Sequence, residues 1–144
     1  MNNTNKILAV LLLLLSCITA HADPQVAIIV NNQNTQAISL QDISNIYNDR
    51  ITTWANDQKI DVYNLPTASP AREVFSRALL GMSAMAAAAS EANRQITNTS
   101  RNSQHVKREH LVILSVATNK NAIGYVKASS ITQRKDIKVL FYIK

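Results

Sequence analysis

The stretch Asn64–Phe75, NLPTASPAREVF, decides how the chain is read. It reads as the end of a strand, a short loop and the start of a helix. Ser69 stands where an N-cap belongs and Pro70 at the first helical position, two placements that helix starts favour. The free N–H groups of such a start, with the positive end of the helix dipole, can hold an anion. Anion loops usually use glycine so that the backbone can approach the ligand, whereas this loop has Ala68 and Pro70. The stretch is therefore a working anion site, a site that has lost its ligand, or only a well-capped helix.

Working outward, Gln25–Val30 (QVAIIV) is a short apolar run with the length of a buried strand. The polar loop Asn31–Ala37 follows it. Ser39 with Asp42 predicts a capped helix over Leu40–Tyr47, with Leu40, Ile43 and Tyr47 on its apolar face. Asp49–Lys59 reads as a loop around Trp54 and Ile60–Asn64 as a second strand. After Pro70, the residues Val74, Phe75, Ala78 and Leu79 share a helical face. Ser83–Gln95 is alanine-rich and predicts a further helix, with Met82 and Met85 expected in the core. Asn98–Ser103 reads as a polar connection and Gln104–Thr118 as a helix with Val106, Ile113, Leu114 and Ala117 buried. Ala122–Val126 and Ile137–Ile143 close the chain as strands. Strands separated by helices predict an α/β fold with a mostly parallel central sheet flanked by helices. In such sheets ligands bind beyond the strands' carboxyl ends, where Asn31–Asn34 and Thr67–Ala71 both fall in sequence.

At 144 residues the chain has room for one domain. Lys6, the apolar run Ile7–Leu15 and Ala20-His21-Ala22 form a secretory leader with an A-x-A cleavage site. The expected division is residues 1–22 as signal peptide and 23–144 as the mature domain, exported to the periplasm. Cys17, the single cysteine, lies in the leader, so the mature domain has no disulfide. Leu14-Leu15-Ser16-Cys17 also resembles a lipobox, which leaves a lipoprotein anchored at Cys17 as the minority reading. Loss of Lys6 with the leader takes the net charge from +6 to +5. That modest field suits anions, but the scattered basic residues and the export signal speak against nucleic acid.

Four segments, in order, resemble the phosphate-type substrate-binding proteins of ABC transporters. They are VAIIVN (Val26–Asn31), LQDISNIYNDRITTWANDQKI (Leu40–Ile60), the strand–loop–helix from Ile60 to Phe75, and NAIGYV (Asn121–Val126). The resemblance covers roughly residues 26 to 128 and implies a periplasmic-binding-protein-like (class II) fold. Full-length members close two lobes on the ligand, and this chain has room for one, corresponding to their second lobe. The family's ligand-binding arginine aligns with Leu65, its acidic residue with Thr67, its two glycines with Ala68 and Pro70, and its threonine with Ala71. Only its serine is kept, as Ser69. Loss of the arginine removes the strongest kind of oxyanion contact.

The candidate ligand residues are Thr67, Ser69, Ala71 (through its N–H) and Arg72, with Asn31 and Asn32 from the first loop. Each has a plainer reading: capping for Ser69 and Thr67, a solvated side chain for Arg72, and an Asn-rich turn for Asn31, Asn32, Asn34 and Thr35. Trp54 could stack on a ligand or pin its loop to the core. Gly124 and Tyr125 are expected to serve strand packing. His105 and His110, five residues apart on the expected helix, do not share a face as metal ligands would. The serines lack a nucleophile-elbow context and the histidines an acid partner, so neither enzyme activity, metal nor cofactor is expected. Two functions follow. One is binding of phosphate or a related small oxyanion. The other is that of a degenerate lobe serving a membrane transporter or sensor as an interaction module. The sequence leaves a homo-oligomer open.

Overall fold

The computed structural model describes residues 25–144, so the leader, its cleavage site and Cys17 lie outside the described residues. Its first strand, β1 (Val26–Asn31), is buried at every position. A strand can be apolar throughout only when both faces of its sheet are covered, and the remaining elements do that. In chain order they are α1 (Leu40–Tyr47), β2 (Asp61–Asn64), α2 (Pro70–Phe75), α3 (Ala84–Ile96), β3 (Ser103–Val106), α4 (Glu109–Thr118), β4 (Ala122–Lys127) and β5 (Ile137–Ile143). A π-helical turn, Ser76–Leu80, continues α2 and ends on Gly81, whose φ of +67° is the left-handed conformation that glycine adopts without strain.

The five strands lie in the order β3-β2-β4-β1-β5. Strands β2, β3 and β4 run parallel, and β1 runs against its neighbours β4 and β5. The sheet is thus mixed: four strands share one direction, and β1, reversed between β4 and β5, makes two of the four pairings antiparallel. Alternation along β4 shows how the faces are filled. Gly124 faces α4, where an added Cβ would lie 2.6 Å from Val112 Cγ1. Tyr125 points the other way and stacks on Phe75 of α2, with ring centroids 3.8 Å apart, while Tyr47 of α1 packs against both rings. One face is therefore covered by α4 and the other by α1 and α2.

Several elements form where their signals sit. Ser39 and Asp42 make a full capping box on α1. Trp54 is buried and donates its indole N–H to the Asn121 carbonyl at 3.0 Å, pinning the loop. The expected helix over Gln104–Thr118 is not one element: its first residues belong to β3, and α4 begins at Glu109. Strand β3 is short, polar and at the sheet edge, so it lacks the alternation that announces a strand. Its placement also exposes Val106, and the buried stripe of α4 is Val112, Ile113 and Val116, with Leu114 outside. Met85, expected in the core, is 70% exposed because small alanines, Ala84 and Ala87, make the inner face of α3. Leu40 and Ala78 are also exposed.

Candidate functional site

Strand direction decides which loops can meet. Because β1 is reversed, its carboxyl end at Asn31 lies beside the amino end of β4, where Val30 pairs with Ile123. The carboxyl ends of β2 and β3 lie at the opposite edge. The Asn31–Asn34 loop and the Thr67–Ala71 loop are therefore on opposite edges of the sheet and cannot line one cleft, although each follows a strand's carboxyl end.

At the Asn31 edge the amides are engaged in the fold. Asn31 is buried, donates from Nδ2 to the carbonyls of Val116 (3.0 Å) and Ala117 (2.8 Å), and accepts from the Gln33 N–H. It thus caps the carboxyl end of α4, whose last carbonyls need donors. Asn34 donates to Lys120 O, and the exposed Asn32 donates to Lys135 O.

At the other edge, the loop after β2 leads into α2. Thr67, Ala68 and Pro70 are exposed and Ser69 is half-buried. Ser69 occupies the N-cap with φ −74° and ψ 125°, but its side chain makes no capping hydrogen bond. Its carbonyl accepts from the N–H groups of Arg72 (3.0 Å) and Glu73 (3.2 Å). Ala71 is buried, with its N–H in the first turn.

Arg72 is not the solvated side chain that its position in the helix suggests. It is 1% exposed. Its Nη1 donates to the carbonyl of Leu65 at 2.6 Å, and its Nη2 to Glu91 Oε2 on α3 at 2.8 Å. The guanidinium thus reaches back to Leu65, just past the end of β2. Nε, also buried, has no partner. The other Glu91 oxygen accepts from Asn64 Nδ2 at 3.3 Å, and Asn64 Oδ1 accepts from the Tyr125 hydroxyl at 3.0 Å. Burial outweighs the attraction of Arg72 and holds the Glu91 carboxyl above its ordinary range, and burial likewise raises Tyr125 and Tyr47. Thr67, Arg72, Glu91 and Gln95 share a cleft of about 360 Å³ between the loop and α3, whose apolar wall includes Ala88 and Val106.

A second polar cluster braces this one. Asp49, buried at the end of α1 with φ 60°, accepts from Arg94 Nε (2.7 Å), from the Asn102 N–H (2.9 Å) and from Gln104. It ties α1, α3 and the start of β3 together beneath the cleft. Sequence reading named Arg72 but missed Glu91. A signal was available, since Glu91 is the lone acid in the alanine-rich helix AMAAAASEANRQI.

His105 lies on β3, stacked on Tyr63 at 5.0 Å, and His110 lies on α4. Among the described residues no cluster of three His, Cys, Asp or Glu side chains could hold a metal. No described helix is long and apolar enough to cross a membrane.

The sequence matches the family described as a PBP superfamily domain over residues 24–142. The chain belongs to the PBP superfamily. Solved structures with the same fold include an ABC-type phosphate transport receptor from Vibrio cholerae (23% identity, TM-score 0.60), which covers 81% of this chain and 45% of its own. A structure with bound phosphate from Clostridium perfringens, named for phosphate ABC transporter substrate binding, has 21% identity and TM-score 0.60 and covers 81% of this chain and 44% of its own. One from Planctomyces limnophilus DSM 3776, named for phosphate binding, has 16% identity and TM-score 0.60 over 81% of this chain and 41% of its own. This PBP-superfamily chain thus spans less than half the length of these structures. No curated protein sequence matches it.

Proposed function

We propose that the chain is an exported, non-enzymatic binding-protein lobe that holds phosphate or a related small oxyanion at the start of α2 and acts in the periplasm with a membrane transporter component. The observation that carries this reading is Ser69. It keeps the N-cap position and leaves its hydroxyl out of the capping bond that a serine usually makes there. Thr67 is exposed two residues before it and the Ala71 N–H lies in the first turn, so the helix start offers neutral donors. A ligand held on one side only, by neutral groups, binds weakly, because it keeps part of its water shell.

Isothermal titration of phosphate into purified Asp23–Lys144, with sulfate in parallel, tests the reading. Saturable heat with phosphate supports it, and Ser69→Ala should then weaken binding by roughly tenfold or more, the loss expected for one hydrogen bond to an anion. No heat up to about 1 mM phosphate, a ceiling of about −4 kcal/mol, overturns it.

A second reading is favoured by the Arg72–Glu91 pair, which commits the arginine of this helix start to the fold. In it the lobe has lost its solute and serves as an interaction module for a membrane sensor or transporter. It predicts silence in the same titration.

A further inference from the structure

The guanidinium of Arg72 is half used. Its Nε and Nη2 form one edge, two parallel N–H groups that match two oxygens of a carboxylate, phosphate or sulfate. Glu91 reaches only Nη2, through Oε2, and turns its other oxygen to Asn64 at 3.3 Å. Nε is buried with no partner, a costly state for a donor on a charged group. The same two residues, with Thr67 and Gln95, line the cleft of about 360 Å³, which has room for a small anion beside them.

We propose that the cleft between the Pro66–Thr67 loop and α3 is a second small-anion site, in which an oxyanion takes the Nε–Nη2 edge of Arg72 and the Glu91 carboxylate is the internal competitor that it displaces. It rests on reading this edge of the lobe as an anion-binding edge, but its contacts differ from those at Ser69. Displaced from Arg72, Glu91 keeps Asn64 as a donor. The carboxylate of Glu91 opposes a second anion while it is ionised. Its neighbours are Arg72 on α2, Arg94 on its own helix, Asp49 at the end of α1, and the Tyr47 and Tyr125 hydroxyls. Burial raises the Glu91 carboxyl, so it takes up a proton as pH falls, before an exposed glutamate would. Anion binding should therefore strengthen toward acid pH.

Sulfate is the probe, because its charge is constant over the range tested. It is titrated into the purified protein and into Glu91→Gln at about pH 7.5 and about pH 5, the lower value lying near the carboxylate range. The expected result is sulfate binding at least about tenfold tighter in Glu91→Gln at the higher pH, as when an internal competitor is removed. Sulfate binding by the unsubstituted protein should tighten at the lower pH, and adding Arg72→Gln should abolish the gain of the variant. A folded Glu91→Gln with unchanged sulfate affinity, or a gain that survives Arg72→Gln, overturns the proposal. Should Glu91→Gln not fold, the pH arm decides, and no tightening on acidification overturns it. The two sites fail separately. Ser69→Ala should weaken phosphate binding at the helix start whatever occupies position 91, whereas the cleft should respond to Glu91 with Ser69 intact.

Discussion

The two edges of the sheet are built from similar polar residues and put them to different uses. At the edge that holds Asn31, side-chain amides are bonded to backbone carbonyls: Asn31 on the end of α4, Asn34 on Lys120, Asn32 on Lys135. At the edge that holds Ser69, the hydroxyl is left out of the helix cap, and behind it lies a buried ion pair with one unpartnered N–H. The first edge is finished by its own hydrogen bonds. The second is finished only in part, and a protein leaves polar groups so placed at the cost of stability unless something else meets them. Polar composition therefore does not tell the two edges apart, and the pairing of each polar atom does.

The largest test of this contrast is Arg72. Substituting Arg72→Leu leaves Glu91 buried without its cation and removes the donor to the Leu65 carbonyl. Breaking a buried pair from one side costs about 3–5 kcal/mol. Urea denaturation of the purified protein should show that loss as a lower midpoint at unchanged slope. A loss below about 1 kcal/mol would mean that the pair behaves as a surface one and that the cleft is wetter than its burial indicates.

Asn31→Ala should cost less, about 1–3 kcal/mol, because it leaves two carbonyls of α4 and the Gln33 N–H short of partners near the surface, where water can reach some of them. Thermal unfolding followed by circular dichroism measures it. Unchanged phosphate titration in the same variant would agree with the separation of the two edges. If Asn31→Ala weakened phosphate binding without changing stability, the contrast between the edges would collapse.

Much of this arrangement was legible in the residues. The buried run VAIIVN, the Ser39–Asp42 box and the Ser69–Pro70 helix start announced β1, α1 and α2, because each carries a local signal that tertiary contacts do not override. Strand β3 was not legible. Four residues, SQHV, take their conformation from pairing with β2, and nothing in their own pattern separates them from the start of a helix. Direction was equally hidden. A strand's buried residues look the same whichever way it runs, so the reversal of β1, which parts Asn31 from Ser69, appears only in the sheet register. Arg72 was visible as a residue, but its fate depended on Glu91, nineteen positions away on another helix. Long-range charge pairs of this kind leave no spacing in the sequence to read.

The smallest expected effect is the sharpest. An N-cap serine replaced by alanine usually costs about 1 kcal/mol, and Ser39, whose hydroxyl accepts from the Asp42 N–H, should behave in that way. Ser69 stands at the same kind of position without the bond. Ser69→Ala should therefore change stability by less than about 0.5 kcal/mol, while Ser39→Ala in the same denaturation series shows the ordinary loss. A full capping loss at Ser69 would mean that in solution the hydroxyl oxygen turns inward and accepts from the first turn, as Ser39 does on α1. A neutral result leaves the hydroxyl serving no structural purpose at the start of α2. A stability measurement without any ligand thus tells whether the Ser69 hydroxyl caps α2.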